Sequence, residues 1–120
     1  MIYSLKYTDD MPKENGGYAK LWFIRLRPKY KNDQGILEHE KEHVRQWWRL
    51  LLLHPVLYLC SKKYRQWSEV SAYRVQLQYP PASLDIERYR NMYASWLSDP
   101  SKVTGYGLIL TKEEAVRLLS

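Results

Sequence analysis

The sequence predicts an α+β fold in which a small antiparallel sheet precedes a mostly helical remainder. Three observations predict it. Apolar residues alternate with polar ones near the N-terminus, a helical period takes over after Ile36, and caps and prolines then punctuate a series of helices. The chain has 120 residues, 45% of them hydrophobic and 27% charged. That gives room for one domain with a real core, is too short for two, and argues against disorder.

The elements are read in order. Residues 2–7 form a short strand, and 9–17 a loop in which Asn15-Gly16-Gly17 is a strong turn signal. Residues 18–27 read as one continuous strand, flanked by Lys20, Arg25 and Arg27 and ended by Pro28. After a polar loop from Lys29 to Gly35, a helix runs from Ile36 to about Leu53, where Pro55 breaks it or starts the next turn. A short helix over 54–63 and a longer one over 64–78 follow, stopped by Pro80-Pro81. Ser83 is the expected N-cap of the next helix, through Leu97, with Asp85 and Glu87 in its first turns. A loop over 99–107 leads to a short strand, Leu108-Ile109-Leu110, and Thr111 to Glu114 form a capping box for a last helix ending at Leu119.

Composition excludes several classes. The only cysteine, Cys60, rules out a disulfide framework, a cysteine zinc site and a CxxC redox pair; its apolar neighbours predict a buried thiol. The most apolar stretch, Trp47 to Cys60, is interrupted by Arg49, His54 and Pro55, so it is expected to be a buried helix end and turn and not a membrane span. Residues 1–6 lack a basic region followed by an apolar run, so no signal peptide is expected and the location is read as cytoplasmic or virion-associated. The net charge of +6 fits an acidic partner without identifying one. Eleven tyrosines and five tryptophans stand against one phenylalanine, which points to aromatic residues at a surface or cleft.

The motif that carries chemistry is His39-Glu40-Lys41-Glu42-His43, an H-E-x-x-H on a predicted helix. Residues four apart stack on one helical face, so both imidazoles can reach one zinc ion. Glu40 then lands beside the metal, where it can take a proton from a water and pass it to a leaving amine. A chance match is expected only about 0.005 times in a chain of this composition. On a helical projection Glu38, Lys41, Glu42, Arg45 and Arg49 share the charged side, while His39, Glu40 and His43 fall with the apolar one. A lone carboxylate facing inward is costly, and a metal with its water gives it a reason.

Zinc needs a third ligand. Gln46 and Arg49 stand where a metzincin extension would have glycine and histidine. His54, beside Pro55, reads as a helix-end residue, and Glu69 on the next long helix is the better ligand because an antiparallel return can place it opposite the histidines. Gln46, one turn after His43, is a candidate to support a ligand.

Residues 37–47 resemble the active-site helix of gluzincin-type metallopeptidases, and Glu69-Val70-Ser71-Ala72-Tyr73 resembles their glutamate helix. The small size is similar to the compact minigluzincins and to short metallopeptidases of phage and bacteria. The resemblance covers roughly residues 18–79 and implies a zincin-like fold with one Zn2+ per chain. It implies His39, His43 and Glu69 as ligands, Glu40 as general base and then acid, and the strand 18–27, with Trp22 and Ile24, as the edge that pairs with an extended peptide. The acidic residue that many relatives use to hold a histidine is replaced here by Ala72 and Tyr73, so the partners of the histidines stay unassigned. Tyr73 and Tyr106 are the candidates for stabilising an oxyanion.

The expected function is therefore zinc-dependent hydrolysis of an extended peptide or unfolded protein, with residues 83–120 as the lower wall of a shallow groove that a protein partner can complete. Two alternatives share the sequence: a zinc-containing scaffold or phage structural protein without proteolysis, and, less favoured, a basic nucleic-acid-binding module.

Overall fold

A computed structural model of the chain describes residues 2–12, 15–80, 85–101 and 105–120. Three strands, β1 (Ser4–Tyr7), β2 (Gly17–Lys20) and β3 (Phe23–Leu26), precede a 3-10 turn over Pro28–Tyr30 and five helices. The helices are α1 (Gln34–Leu50), α2 (Leu53–Cys60), α3 (Lys62–Gln76), α4 (Ile86–Leu97) and α5 (Lys112–Leu118). The α+β class is as expected.

The sheet differs from expectation in two ways. It is mixed, in the order β1-β3-β2, because β1 pairs parallel to β3 while β2 pairs antiparallel to it. The expected single strand 18–27 is a hairpin, β2 and β3, that turns at Leu21-Trp22. Leu21 takes φ 56°, which costs a side chain strain that glycine would avoid, and no Gly, Asn or Pro marks the turn. The stack of Trp22 on Trp48, with ring centroids 5.6 Å apart, holds the tip instead.

This corrects the peptide-pairing residues. Trp22 sits at the hairpin tip, and Ile24, 0% exposed, lies on the central strand in the core. The outer strand on the α1 side is β2, and the loop before it is tied down by Arg27. That guanidinium donates to the carbonyls of Asn15 at 2.7 Å and Pro12 at 2.8 Å and pairs with Asp9 at 3.2 Å.

Local chemistry sets the helix ends. Asp33 caps α1 by accepting from the Ile36 backbone at 3.2 Å, so the helix begins earlier than the apolar period suggests. It ends at Leu50, not Leu53, because Leu51 turns to φ 51°. Pro55 then falls in the first turn of α2, where its missing N–H is harmless. Ser61 caps α3, Asp85 caps α4, and both halves of the Thr111–Glu114 capping box of α5 form. Ser83, expected as a cap, lies outside the described residues. Residues 108–110 form no strand among the described residues; Leu108 and Leu110 are buried in the C-terminal core instead.

Two cores flank the α1–α3 pair. Ile24, Leu26 and Val44 pack the sheet onto α1. Val70, Tyr73, Leu77, Tyr93 and Leu97 join α3 to α4 and to the C-terminal segment. The stretch from Trp47 to Cys60 is not buried as expected: Leu51, Leu52, Leu53, Val56, Leu59 and Cys60 are all exposed. The sharp corner at Leu51 turns this segment away from both cores. No described helix is long and apolar enough to cross a membrane.

Candidate metal centre

The site lies where α1 and α3 face each other. His39 and His43, one helical turn apart, present their rings at 5.0 Å between centroids. Glu69 of α3 reaches between them: its Oε1 is 3.2 Å from His43 Nε2 and 3.5 Å from His39 Nε2. One ligand atom from each residue lies within 4.8 Å of the others, and all three side chains are buried. The expected ligand trio is thus brought together, while His54 stands outside it. His54 is buried in the first turn of α2, with Nδ1 2.7 Å from the Tyr64 hydroxyl. Burial, with a contribution from the charge of His43, holds its pKa down to about 4.

The far nitrogens of the two rings explain why the near ones are available. His39 Nδ1 is 2.8 Å from Gln76 Oε1, and His43 Nδ1 is 3.1 Å from Gln46 Oε1. Gln46 is oriented by its amide N–H, which donates to the Ser68 carbonyl at 3.2 Å, so its oxygen must face the histidine. Ser68 also donates its hydroxyl proton to that oxygen. An amide oxygen only accepts, so each Nδ1 carries a proton; each Nε2 then faces Glu69, where it can donate to the carboxylate or, with a metal present, turn its lone pair to the ion. Gln46 was a candidate from sequence. Gln76 was missed, although it stands two helical turns after Glu69 on the same face of α3.

The donor set of two imidazole nitrogens and one carboxylate oxygen fits a divalent transition metal, zinc among them. The electrostatics agree. Burial pushes the Glu69 carboxyl up, but the charge of His43 and the hydrogen bonds of both histidines outweigh it and hold the group below the usual carboxylate range. Burial likewise pushes His43 down, and Glu69 outweighs it, bringing its pKa to about 9. Burial raises the Glu40 carboxyl above its ordinary value against the pull of the two histidines.

Glu40 lines the same cleft, of about 920 Å³, that His39, His43 and Glu69 border. One wall is the outer strand β2 and the loop before it, Asn15 to Ala19. Met92, Tyr93, Trp96, Gly105 and Tyr106 also line the cleft, so residues from 83–120 contribute to its lining as expected. Tyr73 and Tyr106 also come together there. Their hydroxyls are 2.5 Å apart, and the Tyr73 ring stands edge-on to His39 with centroids 4.5 Å apart. Burial keeps both phenols protonated. Tyr58 of α2, with no signal in sequence, donates its hydroxyl to Glu69 Oε2. That bond leaves Oε1 to face the histidines.

Glu38, expected on the solvated side of α1, is covered instead, held by Gln34 at 2.8 Å and Lys41 at 3.2 Å. Compared with protein-family models, with curated proteins and with solved structures, the chain gives no match in any of the three.

Gln76→Leu is expected to weaken metal binding about 10–100-fold, because it leaves the His39 N–H unpartnered and the ring unheld. Competition against a chelator of known affinity measures this; an unchanged affinity would remove Gln76 from the centre.

Proposed function

We propose that the chain is a zinc-dependent peptidase with a gluzincin-like site. The observation that carries the reading is the convergence of His39, His43 and Glu69 beside Glu40 in an open cleft bordered by the free side of β2. Zinc bound by those three residues would polarise the scissile carbonyl and acidify a nearby water. Glu40 is one residue from His39 and faces the cleft, which suits it to accept the proton of the attacking water and return it to the leaving amine. Its raised pKa fits both duties, since a carboxyl brought closer to neutral takes up a proton more readily than an ordinary one and can still release it to an amine.

The Tyr73–Tyr106 pair is suited to the developing oxyanion. One hydroxyl donates to the other, which leaves a single O–H free to point outward. The strand β2, outermost in the sheet, supplies main-chain groups along which an extended peptide can lie. Aromatic side chains on both sides of the cleft favour flexible, partly apolar peptides over folded domains. Nucleic-acid binding loses support here, because Arg27 and Arg65, two of the basic residues that suggested it, are committed to backbone carbonyls.

The test is metal analysis of the purified chain with cleavage of an unfolded protein assayed in parallel. The reading expects one zinc per chain and cleavage, with both lost in His39→Ala and Glu69→Ala. Zinc retained in both variants would overturn the ligand set. One zinc bound with no cleavage would favour a zinc-bearing scaffold.

A further inference from the structure

The corner between α1 and α2 is built unlike the rest of the surface. Leu51, Leu52, Leu53, Val56 and Leu59 all point outward, with Leu52 78% and Leu59 75% exposed. Beside them lies a groove of about 220 Å³ lined only by Leu21, Trp22, Trp47, Trp48, Leu51 and Leu52. Trp48 has already spent its indole N–H on the Ile2 carbonyl at 2.9 Å, so its outward ring edge offers only carbon. A contiguous row of this kind is uncommon on a free surface and marks a place of contact.

The charges around it say which contact. Residues 15–32 carry Lys20, Arg25, Arg27, Lys29 and Lys31, and residues 43–68 carry Arg45, Arg49, Lys62, Lys63 and Arg65. Neither stretch contains an aspartate or glutamate, though Arg27 and Arg65 are spent on backbone carbonyls and Arg45 pairs with Glu42. Lys20 precedes the tryptophan tip, Arg49 follows Trp48, and Lys62 and Lys63 follow the end of α2. All four are exposed, and none is in an ion pair among the described residues.

We propose that this corner docks on an anionic lipid surface, the leucines and tryptophans entering the interface and the basic rim meeting lipid headgroups. Exposed leucine and tryptophan bordered by lysine and arginine is the composition that settles at the boundary between headgroups and acyl chains. A second copy of the chain fits poorly, because a two-fold contact through this corner would bring two basic rims together. Nucleic acid fits the lysines but gives the leucine row nothing to bind. The same short helix, α2, carries Leu53 and Val56 outward, and His54, Tyr58 and Leu59 border the cleft. Docking would therefore hold the cleft next to the membrane.

The full chain is mixed with phosphatidylcholine vesicles, with and without phosphatidylglycerol, and the bound fraction is read by co-sedimentation. Binding is expected on the anionic vesicles, weakening as salt rises. It should fall at least about tenfold on neutral vesicles and in Leu52→Asp. Leu52 is 78% exposed, so that variant should fold; Val56→Asp repeats the test on a second residue outside the cleft lining, and Leu52→Trp should keep binding. Glu40→Gln should bind vesicles as the parent does, which separates this surface from the cleft. No binding to anionic vesicles, equal binding to neutral ones, or binding that survives both aspartate variants would each overturn the proposal. A dimer in solution that the aspartate variants abolish, without vesicle binding, would overturn it in favour of a second copy.

Discussion

Replacing Glu40 with glutamine is expected to lower peptide hydrolysis by about 10²–10⁴-fold while zinc stays bound. The amide has nearly the shape of the carboxyl and cannot take up the proton. Among the described residues the three side chains that can hold the metal are His39, His43 and Glu69, so its retention should not depend on residue 40. Glutamine also removes a buried acid whose pKa burial holds above its ordinary value, so the variant should fold at least as well as the parent. Hydrolysis rate and bound zinc are measured on the same preparation. A variant with full activity would end the general-base role, and one that loses its zinc would move Glu40 into the ligand set.

The second large effect is on pH. Without metal, His43 holds a proton until about pH 9, because Glu69 at 3.2 Å outweighs the burial that would lower its pKa. Zinc must displace that proton, so apparent affinity should fall about tenfold for each pH unit below 9, or about 1000-fold by pH 6. Stability should follow with opposite signs in the two states. In chelated protein the raised pKa contributes stability that is complete below the ordinary value of 6.5 and is lost as pH rises through about 9. On the acid side, the same pair fails once Glu69 is protonated, below the usual carboxylate range. The loaded protein should instead gain stability as pH rises across that window. Melting curves with excess zinc and with chelator, recorded through the range, should diverge; parallel curves would show that metal displaces no proton from His43.

Much of the site was legible because helical spacing is short-range geometry. H-E-x-x-H puts two rings on one face, and a return helix of matching length brings Glu69 back across it. Gln76 was within reach of the same argument, seven residues beyond Glu69. Tyr58 was not, because its place depends on the angle at which α2 leaves the corner at Leu51, and a leucine at φ 51° leaves no trace in composition. The hairpin failed for the same reason. Leu21-Trp22 reads as strand, and the contact that accompanies its turn, Trp22 on Trp48, is distant in sequence. The parallel pairing of β1 likewise rests on a long-range choice that alternation does not encode. Burial of 47–60 was misjudged because apolar composition shows what a segment avoids in water, not whether the fold covers it.

The two separate cores have a consequence for cooperativity. One unites the sheet with α1, the other unites α3 with the C-terminal helices, and few buried apolar side chains bridge them. Such halves are able to open at different free energies. The histidines belong to the first half and Glu69 to the second, so an ion held by all three acts as a rivet across the seam. Its removal should lower the cooperativity between the halves, leaving the His39–Gln76 and Gln46–Ser68 hydrogen bonds to join them.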